Sequence, residues 1–343
     1  MKKLIFIIVI PFLLYNLSYS QNSGYKISNT IHLEGDAGWD YLSVDDATNR
    51  LFVSHGNMVQ VVDLTSGTLA GTISDTKGVH GIAIAADLNK GFISNGRDTS
   101  VTVFNLKTLD FITKVKVTGI NPDAILYDPF SKKVFAYNGR TSNATVIDAN
   151  TNEVISTIAL DGKPEFSVTD GNGKVYVNIE DKNKISVINS ATLQVEQSWS
   201  VEPGDEPSGL AIDNENHLLF AVCGNKLMVI VDAQTGKIVS TVTIGEHVDG
   251  VGFDPGTMRI FSSNGDGTLT VVQEEKGNSF TVVENFATQR GARTIAVNKI
   301  THHIYLPAAE YEAAPEPTKD NPNPRPKIKA GTFVILDIEP VKN

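Results

Sequence analysis

Apolar and polar residues alternate in short runs along almost the whole chain, and polar turns rich in Asn, Gly, Asp and Thr separate the runs. Period-two alternation of this kind predicts half-buried β-strands rather than helices. The stretch 122–160 shows the unit most clearly. Strands are predicted over 122–128, 133–138, 144–148 and 153–160, with Asn138-Gly139 after the second and Ala149-Asn150-Thr151-Asn152 after the third. The same four-strand unit returns along the chain, opening at Trp39, Val79, Pro122, Pro164, Pro207, Val248 and Ala292, at spacings of 40, 43, 42, 43, 41 and 44 residues. A lone four-stranded unit leaves both faces uncovered and must stack on its neighbours, so this period predicts an all-β, seven-bladed β-propeller with four antiparallel strands per blade.

The seventh unit is incomplete. It offers strands at 294–297, 303–306 and 331–337, and then the chain ends. An unclaimed strand-like run at 25–33 precedes the first unit. It is expected to supply the missing outer strand and close the ring, which removes the exposed sheet edge. Between the second and third strands of this unit lies a Pro-rich insertion, 308–330, which contains Glu310-Tyr311-Glu312 and Asn321-Pro322-Asn323-Pro324-Arg325-Pro326. A connection so long within a compact domain reads as a lid or as a surface loop, and its prolines favour an extended path.

The first twenty residues break the pattern. Lys2 and Lys3 precede an apolar run from Leu4 to Leu14, and Ser18-Tyr19-Ser20 follows. The run falls short of the ~20 residues that span a bilayer. It predicts a cleaved signal peptide over 1–20, with a single propeller domain over 21–343. No Cys stands near the cleavage site to carry a lipid anchor, so a periplasmic or secreted protein without a membrane span is expected. The single cysteine, Cys223, cannot form an intramolecular disulfide and ends an apolar strand, where it is expected to pack as a small hydrophobe. Without Lys2 and Lys3 the formal charge falls from −10 to −12, which argues against nucleic acid as a partner.

Antiparallel alternation places the second residue of every blade at one mouth of the central channel, beside the loops between second and third strands. Those residues are Asp40, His80, Asp123, Glu165, Ser208, Asp249 and Arg293, with His55, His247 and Arg290 expected nearby. Asp40, His55, His80, Asp123, Glu165, Asp249, Arg290 and Arg293 are therefore the candidate ligand-binding residues. Carboxylates gathered this closely repel one another unless a cation or a donor network offsets them. His80, Asp123, Glu165 and Asp249 are the candidates for holding one divalent metal. Calcium suits the carboxylates, and zinc suits a set that includes histidine. The alternative is a hydrated polar channel balanced by Arg293. By contrast, Asp63, Asp148 and Asp232 each precede a tight turn and are expected to cap its backbone N–H groups. No Gly-x-Ser-x-Gly, His-Glu-x-x-His or phosphate-loop motif occurs.

The openings Pro122-Asp123-Ala124, Pro164-Glu165 and Pro207-Ser208-Gly209 resemble the YVTN-type propeller repeat of the YncE-like family, as do Val146-Ile147-Asp148 and Val187-Ile188-Asn189. Gly78-Val79-His80-Gly81, Ser94-Asn95-Gly96-Arg97-Asp98, Asn264-Gly265-Asp266-Gly267 and Arg290-Gly291-Ala292-Arg293 are similar to a bacterial subgroup of it, as is the Pro-rich insertion. The resemblance covers essentially all of 21–343. It implies an exported seven-bladed protein related to lactonases of the phosphogluconolactonase and carboxymuconate type. It also implies a link to DNA binding, against which the acidity of this chain stands. The repeat consensus carries no catalytic residue to transfer.

The expected function is thus a monomeric binding or scaffold propeller that presents a polar channel mouth to a protein or a small molecule. The alternative is a metal-assisted hydrolase, a lactonase above all.

Overall fold

A computed structural model describes residues 24–319, 322, 324 and 326–341; the predicted signal peptide lies outside the described residues. The chain forms seven four-stranded antiparallel sheets arranged as the blades of a propeller. Six of the seven expected openings start a strand where the repeat places them, from Trp39–Asp45 in blade one to Val248–Asp254 in blade six. Blade seven closes as predicted. Tyr25–His32 pairs antiparallel with Val334–Pro340, running from Tyr25 opposite Pro340 to His32 opposite Val334. The first and last described strands thus share one sheet.

The innermost strand of blade seven departs from expectation: only Ala296–Val297 is paired, not 294–297. The backbone just before it is committed elsewhere. The Arg293 carbonyl accepts from the Asp249 N–H at 3.2 Å and from the Ser263 hydroxyl at 2.7 Å, both in blade six. Those bonds hold the chain against its neighbour rather than in its own ladder.

The core is a ring of interfaces. One apolar cluster lies between blades one and two around Phe52, Ile93 and Phe104, and another between blades five and six around Phe220, Phe253 and Ile260. Blades six and seven are joined in the same way around Phe261, Leu269 and Leu306. Each fully buried side chain of this size contributes about 1.5–3 kcal/mol. Ring closure therefore matters because an open end would expose a whole interface. Cys223 belongs to the cluster between blades four and five; it is fully buried, and burial pushes its thiol up to about 12. It packs as a hydrophobe.

Candidate functional site

The innermost strand of each of the first six blades carries a register irregularity within its first residues, between Trp39 and Leu42, Val79 and Ile82, or Pro122 and Ile125, for example. Such irregularities re-aim side chains, and here they lie at the second and third residues of the blade. The backbone groups they free are taken up by the neighbouring strands. The Asp40 N–H donates to the Ser54 hydroxyl at 2.9 Å, and the Ser94 hydroxyl donates to the Asp123 carbonyl of the next blade. Asn178 of blade four likewise donates to the carbonyls of Ser208 and Gly209 in blade five at 2.9 and 3.0 Å. Close approach of neighbouring innermost strands keeps the third residue small at blade two. A Cβ on Gly81 would lie 2.9 Å from Ile125 Cγ2 and 3.2 Å from the Asp123 carbonyl oxygen.

The loops between second and third strands fall on the same side, as the alternation argument requires. Gly96 donates its N–H to the Gly78 carbonyl, Gly139 to Asn121, Glu180 to Lys163 and Gly265 to His247; each acceptor stands immediately before a blade opening.

The second residues converge. His80 Nδ1 lies 2.6 Å from Asp40 Oδ2 and 3.5 Å from Asp123 Oδ1, so its ring bridges blades one and three. Burial draws the His80 imidazole down, but the bond to Asp40 and the charges of Asp123 and Asp40 outweigh it and hold the group above its ordinary value. Arg293 Nε donates to Asp249 at 2.7 Å, and its Nη2 lies 3.7 Å from Asp40. Glu165 turns to Lys163, at 2.7 Å, and Lys163 also meets Glu180. Burial pushes Asp123 up to about 6, with His80 opposing and Asp40 and Asp249 adding to the rise. Burial and the Asp123 charge push Glu165 up to about 8.

Beside this ring two aromatic side chains meet across the blades. Tyr41 of blade one reaches across to blade four, where its ring packs against Phe166 at 5.3 Å and its hydroxyl donates to Glu165 at 3.5 Å. Burial raises Tyr41 well above its usual range, and the charges of Asp123, Glu165, Asp40 and Asp249 add to the rise.

The structure sorts the expected candidates. Asp40, His80 and Asp123 each offer a ligand atom within 4.8 Å of the others, a grouping suited to a metal ion. The expected metal set held Glu165 and Asp249 in place of Asp40. Those two are drawn aside, each by the cation nearest to it, Lys163 and Arg293. His55 also differs from expectation. It is 1% exposed, its ring nitrogens lie 2.8 Å from Gln60 Oε1 and 3.0 Å from the Ala37 carbonyl, and it stacks on Phe333 at 4.1 Å. It is a packing residue of blade one. Asp63, Asp148 and Asp232 do cap their turns, each accepting from two backbone N–H groups at 2.8–3.1 Å.

The insertion of blade seven adds a second feature. Its base is a short antiparallel ladder in which Tyr311 bridges Ile328, Glu312 donates to the Lys327 carbonyl, and Lys329 donates to the Glu310 carbonyl. Tyr311 rests near Trp39, with ring centroids 6.4 Å apart, and above Gly291, where a Cβ would fall 2.8 Å from the tyrosine hydroxyl. Between this ladder and blade six lies a cavity of about 1230 Å³, whose lining includes His247, Gln289, Arg290, Arg293 and Tyr311. Arg293 belongs both to this cavity and to the carboxylate ring, so the two adjoin.

No family model matches the chain, and no curated protein matches its sequence. Solved structures do. A chain from the Kuenenia stuttgartiensis hydrazine synthase is similar at 15% identity and a TM-score of 0.71, covering 80% of this chain and 94% of that one. A chain of the mitotic checkpoint complex is similar at 13% identity and 0.75, covering 100% and 99%. The RRP9 WD40 repeats are similar at 8% identity and 0.77, covering 92% and 97%. At these identities the likeness is one of fold, the propeller. Among the described residues no helix is long and apolar enough to cross a membrane.

Proposed function

We propose that this chain is an exported binding propeller of the YncE type that takes a ligand on its mouth face, in the cavity beside the carboxylate ring. The cavity itself carries this reading: its floor is blade, its roof is the hydrogen-bonded base of the insertion, and polar residues of both line it. Propeller faces also serve as docking surfaces for proteins, and a protein segment would enter by the same opening. A thermal-shift screen of small molecules and short peptides, repeated on Tyr311→Ala, tests it. Hits that vanish in the variant place binding under the insertion. Hits that persist unchanged, or no hits at all, sink the proposal.

A second reading rests on the grouping of Asp40, His80 and Asp123. Two carboxylates and an imidazole could hold one divalent ion, which would activate a water for attack on an ester or lactone carbonyl, with Arg293 beside it to stabilise the oxyanion. Elemental analysis of the protein purified without chelator decides the matter. A stoichiometric metal, lost in Asp123→Ala, warrants a lactone and ester screen. Absence of metal together with a melting temperature indifferent to EDTA removes the hydrolase.

A further inference from the structure

In an acidic protein, one wall of this cavity gathers donors. His247, Arg290 and Arg293 all line it, from the end of blade five through the start of blade seven. Their states differ. Arg293 is partly committed to Asp249 and Asp40. Arg290 makes no hydrogen bond or ion pair among the described residues, and its guanidinium is exposed at the cavity wall. His247 is 77% exposed at the side chain, and the nearest carboxylate, that of Glu246, lies 4.0 Å away.

The backbone of His247 follows the repeat. It holds a left-handed conformation, φ 57°, immediately before the opening of blade six. At the matching position blades two, three and five carry Gly78, Asn121 and Glu206, all with positive φ, so the conformation belongs to the repeat and only the side chain is particular to blade six. Blade six holds an imidazole there, exposed and in the lining of the cavity.

The roof completes the description. Glu310 is neutralised by Lys329 at 2.7 Å, and Tyr311 presents its ring to the cavity. Glu312 is the lining carboxylate with no cation within 4 Å among the described residues, and it disfavours a second negative group on the ligand.

We infer that the cavity binds a small molecule bearing a single oxyanion, with Arg290 and His247 as its anchors and Tyr311 covering its apolar part. This rests on the reading of the cavity as a ligand site and adds the chemistry it selects. Guanidinium and imidazole N–H groups recognise a carboxylate or phosphate through charge-assisted hydrogen bonds, which an amide of the same shape cannot match.

Calorimetric titration with four probes tests it: hydrocinnamate, hydrocinnamamide, phenethylamine and inorganic phosphate. Hydrocinnamate is expected to bind at least tenfold more tightly than its amide. Arg290→Gln should weaken it tenfold or more while leaving the melting temperature of the free protein unchanged, because the side chain it replaces has no partner. Phosphate binding with the same dependence on Arg290 would support the anchor and identify an inorganic anion as a sufficient source. Equal binding of acid and amide, preference for phenethylamine, no binding of the acid, or indifference to Arg290→Gln overturns the inference. A probe that binds regardless of charge but is lost in Tyr311→Ala would overturn the oxyanion and leave the ligand site standing. If no probe binds and the wider screen yields no Tyr311-dependent hit, both fall.

Discussion

The carboxylates at the mouth and those at the opposite turns are the same chemical groups in two electrostatic settings. At the turns each acid has its own donors. Burial works against ionised Asp128, but bonds from the Ser131 and Thr169 side chains and the Ser131 N–H hold it below its usual range. Asp148 is held low chiefly by the Thr151 N–H. At the mouth the second residues of neighbouring blades point at one another, and burial pushes Asp123 and Glu165 upward instead. The difference lies in radius. A turn acid bends back over its own backbone, whereas a mouth acid is aimed at the axis, where it meets other acids and a few shared cations. The turns stabilise the fold; the mouth stores unfavourable charge that a ligand or cation could relieve.

The largest expected effect breaks this comparison directly. Asp128 is fully buried and accepts from the Ser131 hydroxyl at 2.6 Å and from Thr169 of the next blade at 2.8 Å. Asp128→Ala leaves those donors stranded and should cost about 2–4 kcal/mol in urea unfolding. Asp123→Ala at pH 7 should cost less than about 1 kcal/mol, since the lost charge contact with His80, at 3.5 Å, is set against relief of repulsion. Equal costs for the two would erase the distinction between the settings.

The next effect appears in the pH profile. Glu165 binds its proton more tightly in the folded chain than in the unfolded one, where its value is near 4.5, so its contribution to stability is greatest below 4.5 and declines as pH climbs to about 8. The turn acids act oppositely: their contribution is present above the unfolded carboxylate value and is lost below it. Glu165→Gln should therefore flatten the decline between pH 4.5 and 8 and raise stability at pH 8 by about 1–2 kcal/mol, after loss of the bond to Lys163 is counted. A profile that still falls as in the parent protein would show that Lys163 already compensates Glu165 in full.

The propeller was legible because strand period and repeat spacing are properties of the backbone, and each blade must meet the same two neighbours. Where a blade does something else, legibility fails: of the strand expected at 294–297 only Ala296–Val297 pairs, in the blade whose Arg293 carbonyl takes the Asp249 backbone N–H of blade six. The mouth ring could be placed by alternation alone, but not the pairing within it. Which cation each acid finds depends on side-chain reach, so Asp40 replaced Glu165 and Asp249 in the metal-competent group. Lys163 stands one residue before an opening, as His247 does, but nothing in the alternation shows that its long side chain turns to Glu165. Tyr41 carries a signal in the sequence itself. The third residue of the blade is Gly81, Ala124, Gly209 and Gly250 in four blades, and the aromatics Tyr41 and Phe166 interrupt that series in blades one and four. Side chains too large for a position kept small elsewhere are the ones that meet across the blades.

The smallest expected effect sharpens the comparison at that contact. The Tyr41 hydroxyl is the neutral donor that Glu165 has, at 3.5 Å, a long bond by the standard of the turns. A hydroxyl donates more strongly to a carboxylate than to a carboxylic acid. Tyr41→Phe should thus leave stability unchanged near pH 6, where Glu165 holds its proton, and cost about 0.5 kcal/mol near pH 9, where it does not. The ring itself stays, so packing against Phe166 is preserved and the difference between the two pH values isolates the hydroxyl. Unfolding curves of the two proteins at both pH values supply the measurement. A cost of equal size at pH 6 would mean that Glu165 is already ionised there, and the mouth would then be no different in kind from the turns.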